Sequence, residues 1–204
     1  MWDILKDPLL QRRLLFFHGI LPGIFLTADF LGDRLGANPP EAIIRSTGVI
    51  SIIFFVLTLA VTPLTRTFKW NWLARHRRWL GLLCFYYALV HLISYMVFDR
   101  GLVVSDIVLD IKKRPFILIG FFSFLLLLPL AMTSSNQMIR RLGAKKWKSL
   151  HRLTYVVAAA VPVHYWLIVK SDIYYPAIFA LAMLVLLLYR VVMKFRRVSA
   201  PRIS

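Results

Sequence analysis

An all-α membrane protein, built as a bundle of six transmembrane helices, is the fold class this sequence predicts. Three observations carry the prediction. The first is hydropathy: 59% of the 204 residues are hydrophobic and the mean hydropathy is +0.70, too apolar for a soluble domain of this size. The second is segmentation. Six runs, at 14–31, 46–63, 79–98, 116–132, 150–169 and 174–193, approach the ~20 apolar residues that a helix needs to cross a bilayer. The third is charge. With six crossings, both termini and the connections after the second and fourth runs share one side. Nineteen lysines and arginines fall there against two acids, Asp3 and Asp7, while seven cations meet seven acids on the other side. The whole net charge of +17 therefore lies on one face, which predicts that face, and both termini, to be cytoplasmic. A charge spread over short inter-helix loops suits anionic lipid headgroups and excludes nucleic acid as the partner.

The longest connection, 99–115, has 17 residues, too few for a second domain, so residues 1–204 form one domain. Asp3 and Asp7 stand where a signal peptide has basic residues, so the first run reads as a retained helix. Cys84 is the one cysteine; no intrachain disulfide forms, and no C-x-x-C-H is present for covalent c-type haem.

In the first run, Gly19, Pro22 and Gly23 allow a kink or the close approach of another helix. His18 reads as an interfacial side chain, and Asp29 belongs to the wet outer end. Asn38-Pro39-Pro40 predicts a turn before the second run, which Thr62-Pro63-Leu64 is expected to end. Trp70 and Trp72 beside Lys69 have the composition of a membrane–water anchor. His76, Arg77 and Arg78 lead into the third run, which carries His91. Beyond it, Val103, Val104, Ile107, Val108 and Ile111 fall on one helical face with Asp106 and Asp110 opposite, which predicts a short helix on the outer membrane surface. Pro115 is well placed to open the fourth run. Arg114 before it reads as an interface anchor, with a cofactor carboxylate as its alternative partner. The stretch 133–149 reads as a basic loop, and the sixth run as lipid-facing scaffold.

Ionisable side chains at membrane depth are costly, so the histidines are the functional candidates. The third and fifth runs cross in the same direction. His91 is twelve residues past Trp79, roughly 18 Å along the helix. His164 is thirteen residues past His151, roughly 20 Å further out. His91 and His164 thus share a depth in the outer half, where two imidazoles can clamp a haem iron with no open position, an arrangement for electron transfer. Thirteen residues before His91 stands Arg78, so His151 faces an arginine at the inner level, with His76 near by. At about 100° per residue His151 and His164 do not share a face of a straight helix; Pro162 between them can change that phase.

These runs and histidines, together with LGANP at 35–39, TPL at 62–64, RRWLGL at 77–82, HLISY at 91–95, KRPF at 113–116, LAMTSSNQMIRRLG at 130–143, KKWKSLHRLTY at 145–155 and VHYWLIVK at 163–170, resemble the ferric-reductase-like transmembrane family, which includes NADPH oxidases. Within it the likeness is to haem-binding membrane subunits of periplasmic methionine sulfoxide repair systems, and it covers nearly the whole chain. The resemblance implies a bacterial inner-membrane electron carrier with haem b on His91 and His164, and His151 as a further matched histidine. It implies quinol or a cytoplasmic flavin reductase as donor, and a periplasmic molybdenum-containing methionine sulfoxide reductase as acceptor. FMN is also implied, with no residues to assign to it. Arg78 stands where two-haem members of the family have histidine, which leaves room for a flavin or quinone near His151. Arg77, Arg78 and Arg152 can hold a phosphate or propionate there; positive-inside anchoring is the plainer reading of the same residues.

The chain has no room for an FAD or nicotinamide domain after the sixth run, so electrons must come from another protein or from quinol, and no substrate chemistry of its own is expected. Other readings are a ferric reductase or another transmembrane electron carrier, a transporter with a histidine path, and a haem-free scaffold. A transporter would place acids or amides within the runs, where they are nearly absent.

Overall fold

The computed structural model describes residues 7–169 and 171–199. Both chain ends, with Asp3, Lys6, Lys170 and Arg202 of the charge pattern, lie outside the described residues. Among the described residues there is no strand. The helices are α1 (Pro8–Leu31), α2 (Pro39–Thr67), α3 (Arg77–Ser94), α4 (Val104–Lys113), α5 (Pro115–Met132), α6 (Asn136–Leu150), α7 (Leu153–Ile168) and α8 (Tyr174–Ser199). A 3-10 turn at Asn71–His76 leads into α3, and a π turn at Tyr95–Asp99 leaves it.

Among the described residues, five stretches are long and apolar enough to cross a membrane: Leu9–Leu31, Pro39–Thr67, Asn71–Asp99, Pro115–Met132 and Tyr174–Arg196. The run expected at 150–169 is instead the 16-residue α7. At about 1.5 Å per residue it is roughly 24 Å long, less than the ~30 Å hydrocarbon core. It is shorter because His151 and Arg152 form the turn that joins α6 to α7, and because Val169 is already extended.

The chain divides into two compact units, one made of the residues up to Thr58 plus Trp72–Leu109, the other of Leu59–Asn71 and the residues from Asp110 on. In the first unit, α1 packs on α3. Asp7 caps α1 by accepting from the Leu9 N–H at 2.9 Å, with Pro8 at the first helical position, where no N–H is needed. The expected close approach at Gly19 and Gly23 occurs. A Cβ on Gly19 would collide with Leu83. The Tyr87 hydroxyl accepts from the Gly23 N–H at 3.1 Å and donates to the Gly19 carbonyl at 2.8 Å, so one phenol bridges a break in the ladder of α1 beside Pro22. Phe54 of α2 stacks on the Tyr87 ring at 5.7 Å, and Ser51 donates to the Cys84 carbonyl at 2.9 Å.

Asn38-Pro39-Pro40 does not delay the second helix. The prolines form its first turn, and Asn38 caps it reciprocally with Glu41, at 3.3 Å from the Glu41 N–H and 3.0 Å to its carboxylate. Nor does Thr62-Pro63 end α2, which runs to Thr67. The predicted surface helix exists as α4, but its faces differ from expectation: Ile107 and Asp110 are buried while Val104 is 70% exposed. Asp110 is buried because Arg114 reaches back one turn, Nε to Oδ1 at 2.9 Å. That contact gives Arg114 a partner from its own chain, in place of the cofactor carboxylate considered for it.

In the second unit α5 packs on α7 and α7 on α8, with Val157, Ala158 and Met183 almost fully buried. Pro115 opens α5 as expected. The stretch 133–149 is mostly the helix α6 rather than a loop. Ser135 caps it by accepting from the Met138 N–H at 3.1 Å, and it kinks at Gly143, whose φ is 74°. The helix α8 is largely exposed but not without polar contact. Its Arg190 donates to the Leu59 carbonyl at 2.7 Å, and the physical reason lies four residues on. Pro63 has no N–H to give Leu59, so the guanidinium satisfies the carbonyl that the proline leaves open.

Candidate functional site

The first unit holds one imidazole in a defined cradle. His91 is in the last turn of α3 and half-buried. Its Nδ1 lies 2.8 Å from the Ile44 carbonyl of α2. A carbonyl only accepts, so Nδ1 carries the proton, and in the neutral ring the lone pair belongs to Nε2. The ring passes over Gly48, where a Cβ would stand 3.1 Å from Cε1 and Nδ1.

The second unit repeats the arrangement. His164 of α7, also half-buried, donates from Nδ1 to the Phe116 carbonyl of α5 at 2.6 Å. Its ring passes over Gly120, where a Cβ would stand 2.5 Å from Cε1 and 2.7 Å from Nδ1. In both cradles the glycine follows the accepting carbonyl by four residues. In an α-helix residue i+4 sits directly above the carbonyl of residue i, so a glycine there clears the approach of the ring. Metal-bound histidines characteristically give their other N–H to such a carbonyl, which fixes the tautomer and aims the ligating nitrogen. The donor set of each unit therefore fits a haem iron: a neutral imidazole, half-buried, with Nε2 as its basic nitrogen.

His151 is arranged differently. It is the C-cap of α6, not a residue of α7. Its Nε2 lies 3.1 Å from the Thr133 hydroxyl, whose own proton goes to the Pro129 carbonyl at 2.6 Å. The hydroxyl is left to accept, so Nε2 of His151 carries the proton, the opposite tautomer to His91 and His164. Trp147 stacks on the ring at 4.0 Å and donates to the Thr133 carbonyl at 3.0 Å. His151 and Arg152 share this turn, and Arg152 is exposed. Arg77 and Arg78 are the first two residues of α3, both exposed, in the other unit. His76 is buried, with Nε2 at 3.1 Å from the Gln11 side-chain oxygen. His18 is exposed and donates within α1 to the Leu14 carbonyl at 2.7 Å.

Sequence reasoning found both cradled histidines but not the cradles. The signal was present: Gly48 and Gly120 each interrupt an apolar helix, a costly choice that a close neighbour explains. Among the described residues no three His, Cys, Asp or Glu side chains gather as a metal site.

A chain helical throughout its described residues, with five stretches long and apolar enough to cross a bilayer, is a multi-pass membrane protein. The chain belongs to the family described as ferric reductase like transmembrane component, whose model matches residues 47–162. Among its relatives, the protein-methionine-sulfoxide reductase heme-binding subunit MsrQ of Herminiimonas arsenicoxydans is 48% identical over 89% of this chain and 84% of its own length. The protein of the same name from Azospira oryzae is 46% identical over 91% of this chain and 80% of its own, and that from Rhodospirillum rubrum 43% identical over 98% and 97%. No solved structure matches the chain.

Proposed function

We propose that this protein is the haem-binding membrane subunit of a methionine sulfoxide reductase system. In this reading it carries electrons across the bacterial inner membrane to a periplasmic molybdenum-containing partner that repairs oxidised envelope proteins. The observation that supports it most is the pair of Nδ1-anchored imidazoles, His91 and His164, which would hold haem b. Bound there, the haem would supply reversible one-electron chemistry. The chain's own work is then positional. The Ile44 and Phe116 carbonyls hold each ring and increase its basicity, and the surrounding apolar helices exclude water.

Six crossings with cytoplasmic termini are part of the proposal, with α7, the fifth in chain order, added to the five long stretches. The basic side, rich in arginine from Arg66 to Arg78 and in lysine from Lys145 to Lys148, would receive electrons from quinol or from the flavin of a cytoplasmic reductase. FMN is the cofactor we expect at that entrance. His151 holds the α6–α7 turn through Thr133 and is the reserve iron ligand only if a second haem is bound.

The test is the reduced-minus-oxidised spectrum of the purified chain, with haem and flavin quantified. One low-spin b-type haem per chain, lost in both His91→Ala and His164→Ala, is the expected result. Full haem in either variant sinks the ligand assignment.

A further inference from the structure

We infer that Gly48 and Gly120 are positioning residues for the two imidazoles, and that through ring placement they set the reduction potential of the haem that the imidazoles ligate. The inference rests on the haem reading above and adds to it two residues that never touch iron.

The cradle occurs twice. Two cradles in two separate units use the same three parts: a histidine Nδ1–H, a helical carbonyl, and a glycine four residues after that carbonyl. One such glycine is an ordinary packing accommodation. The same offset at Ile44/Gly48 and at Phe116/Gly120 indicates that the close approach of ring to backbone is what the helices are arranged to achieve.

The chemistry follows from the hydrogen bond. A carbonyl that accepts the Nδ1 proton makes Nε2 a stronger electron donor. A stronger donor stabilises ferric over ferrous iron and lowers the potential. Anything that pushes the ring off the carbonyl weakens that donation and raises the potential. An alanine methyl is the smallest such push. At 48 it would stand 3.1 Å from Nδ1, tight enough to displace the ring by a few tenths of an ångström; at 120 it would stand 2.7 Å from Nδ1 and 2.5 Å from Cε1, where something must move. Gly81 is the natural control. It lies in α3 with His91, yet a Cβ there meets only a Thr58 methyl at 3.8 Å, an ordinary contact.

The experiment is redox titration of the purified, haem-loaded chain as wild type, Gly48→Ala, Gly120→Ala and Gly81→Ala, with low-temperature EPR of the ferric form. The expected result is a positive shift of the midpoint potential in Gly48→Ala and a larger one in Gly120→Ala, each with a changed low-spin g-value, and no change in Gly81→Ala. Haem loss from a Gly120→Ala chain that stays monodisperse supports the inference, since the ring has then left the iron. If Gly120→Ala does not accumulate, Gly48→Ala decides. Potentials unchanged or lowered in Gly48→Ala, with wild-type EPR, overturn it. Failure of the parent reading looks different: the wild type binds no haem, or the histidine variants keep it.

Discussion

The two units solve one problem on dissimilar helices. The His91 cradle is built on α2, which is studded with hydroxyls: Thr47 returns to the Ile43 carbonyl at 2.7 Å, Ser51 crosses to Cys84 at 2.9 Å and Thr58 returns to Phe54 at 2.7 Å. The His164 cradle is built on α5, where Ser123 is the one hydroxyl among apolar residues and proline. The chemistry of the imidazole is the same in both. What must be shared is therefore the backbone: a carbonyl, and a missing side chain four residues later. The side chains around them are free to differ, and they do.

That comparison can be broken most severely at the rings. His91→Ala and His164→Ala should each remove most of the haem, read as loss of the b-type absorbance, and a strong asymmetry between them would mean that the cradles are not equivalent. Next is the second unit's half-buried cation. Arg190→Met leaves the Leu59 carbonyl without a donor, which should cost about 1–3 kcal/mol; a fall in the thermal midpoint of the detergent-solubilised chain checks it. In the first unit Tyr87→Phe removes both hydrogen bonds to α1, at Gly19 and Gly23. The loss is softened because that N–H and carbonyl are themselves a helical pair and can close on each other. About 1 kcal/mol is expected, with faster hydrogen exchange at Gly23. Smallest is Ser51→Ala, about 0.5–1.5 kcal/mol for one hydrogen bond, with the haem spectrum unaltered. A spectral change there would tie the hydroxyl-rich face of α2 to the cradle after all.

Much of this was legible in the sequence. The five long spans announce themselves by length and apolarity, and Pro115 marked the start of α5 because proline fits only the first turn. His91 and His164 were found because an ionisable ring in an apolar run is expensive. What was not legible depends on contacts between distant residues. The prolines after Asn38 and at 63 read as stops, yet Asn38 caps the first and Arg190 compensates the second. The basic stretch 133–149 read as loop because charge obscured its Ser135 cap and its good helix formers. Asp110 read as opposite the apolar face of α4, and although its i,i+4 spacing to Arg114 is visible in the sequence, its burial is not. His151 read as a residue of the fifth run, but Thr133, eighteen positions away, draws it into the turn.

The bond from Arg190 to the Leu59 carbonyl ties the arginine to the absence of an N–H at Pro63, 127 residues earlier in the chain. Replace the proline by any residue with an N–H, and the Leu59 carbonyl regains its own helix partner. The guanidinium then keeps only the Leu186 carbonyl, the Thr62 hydroxyl and the Tyr155 ring as partners. Replace the arginine alone, and the carbonyl goes unmet in a medium that offers no water. Only the loss of the arginine is harmful while Pro63 remains, so the arginine should change only where position 63 is no longer proline. A polar residue that looks like an intrusion into α8 is in this sense the remote half of a proline.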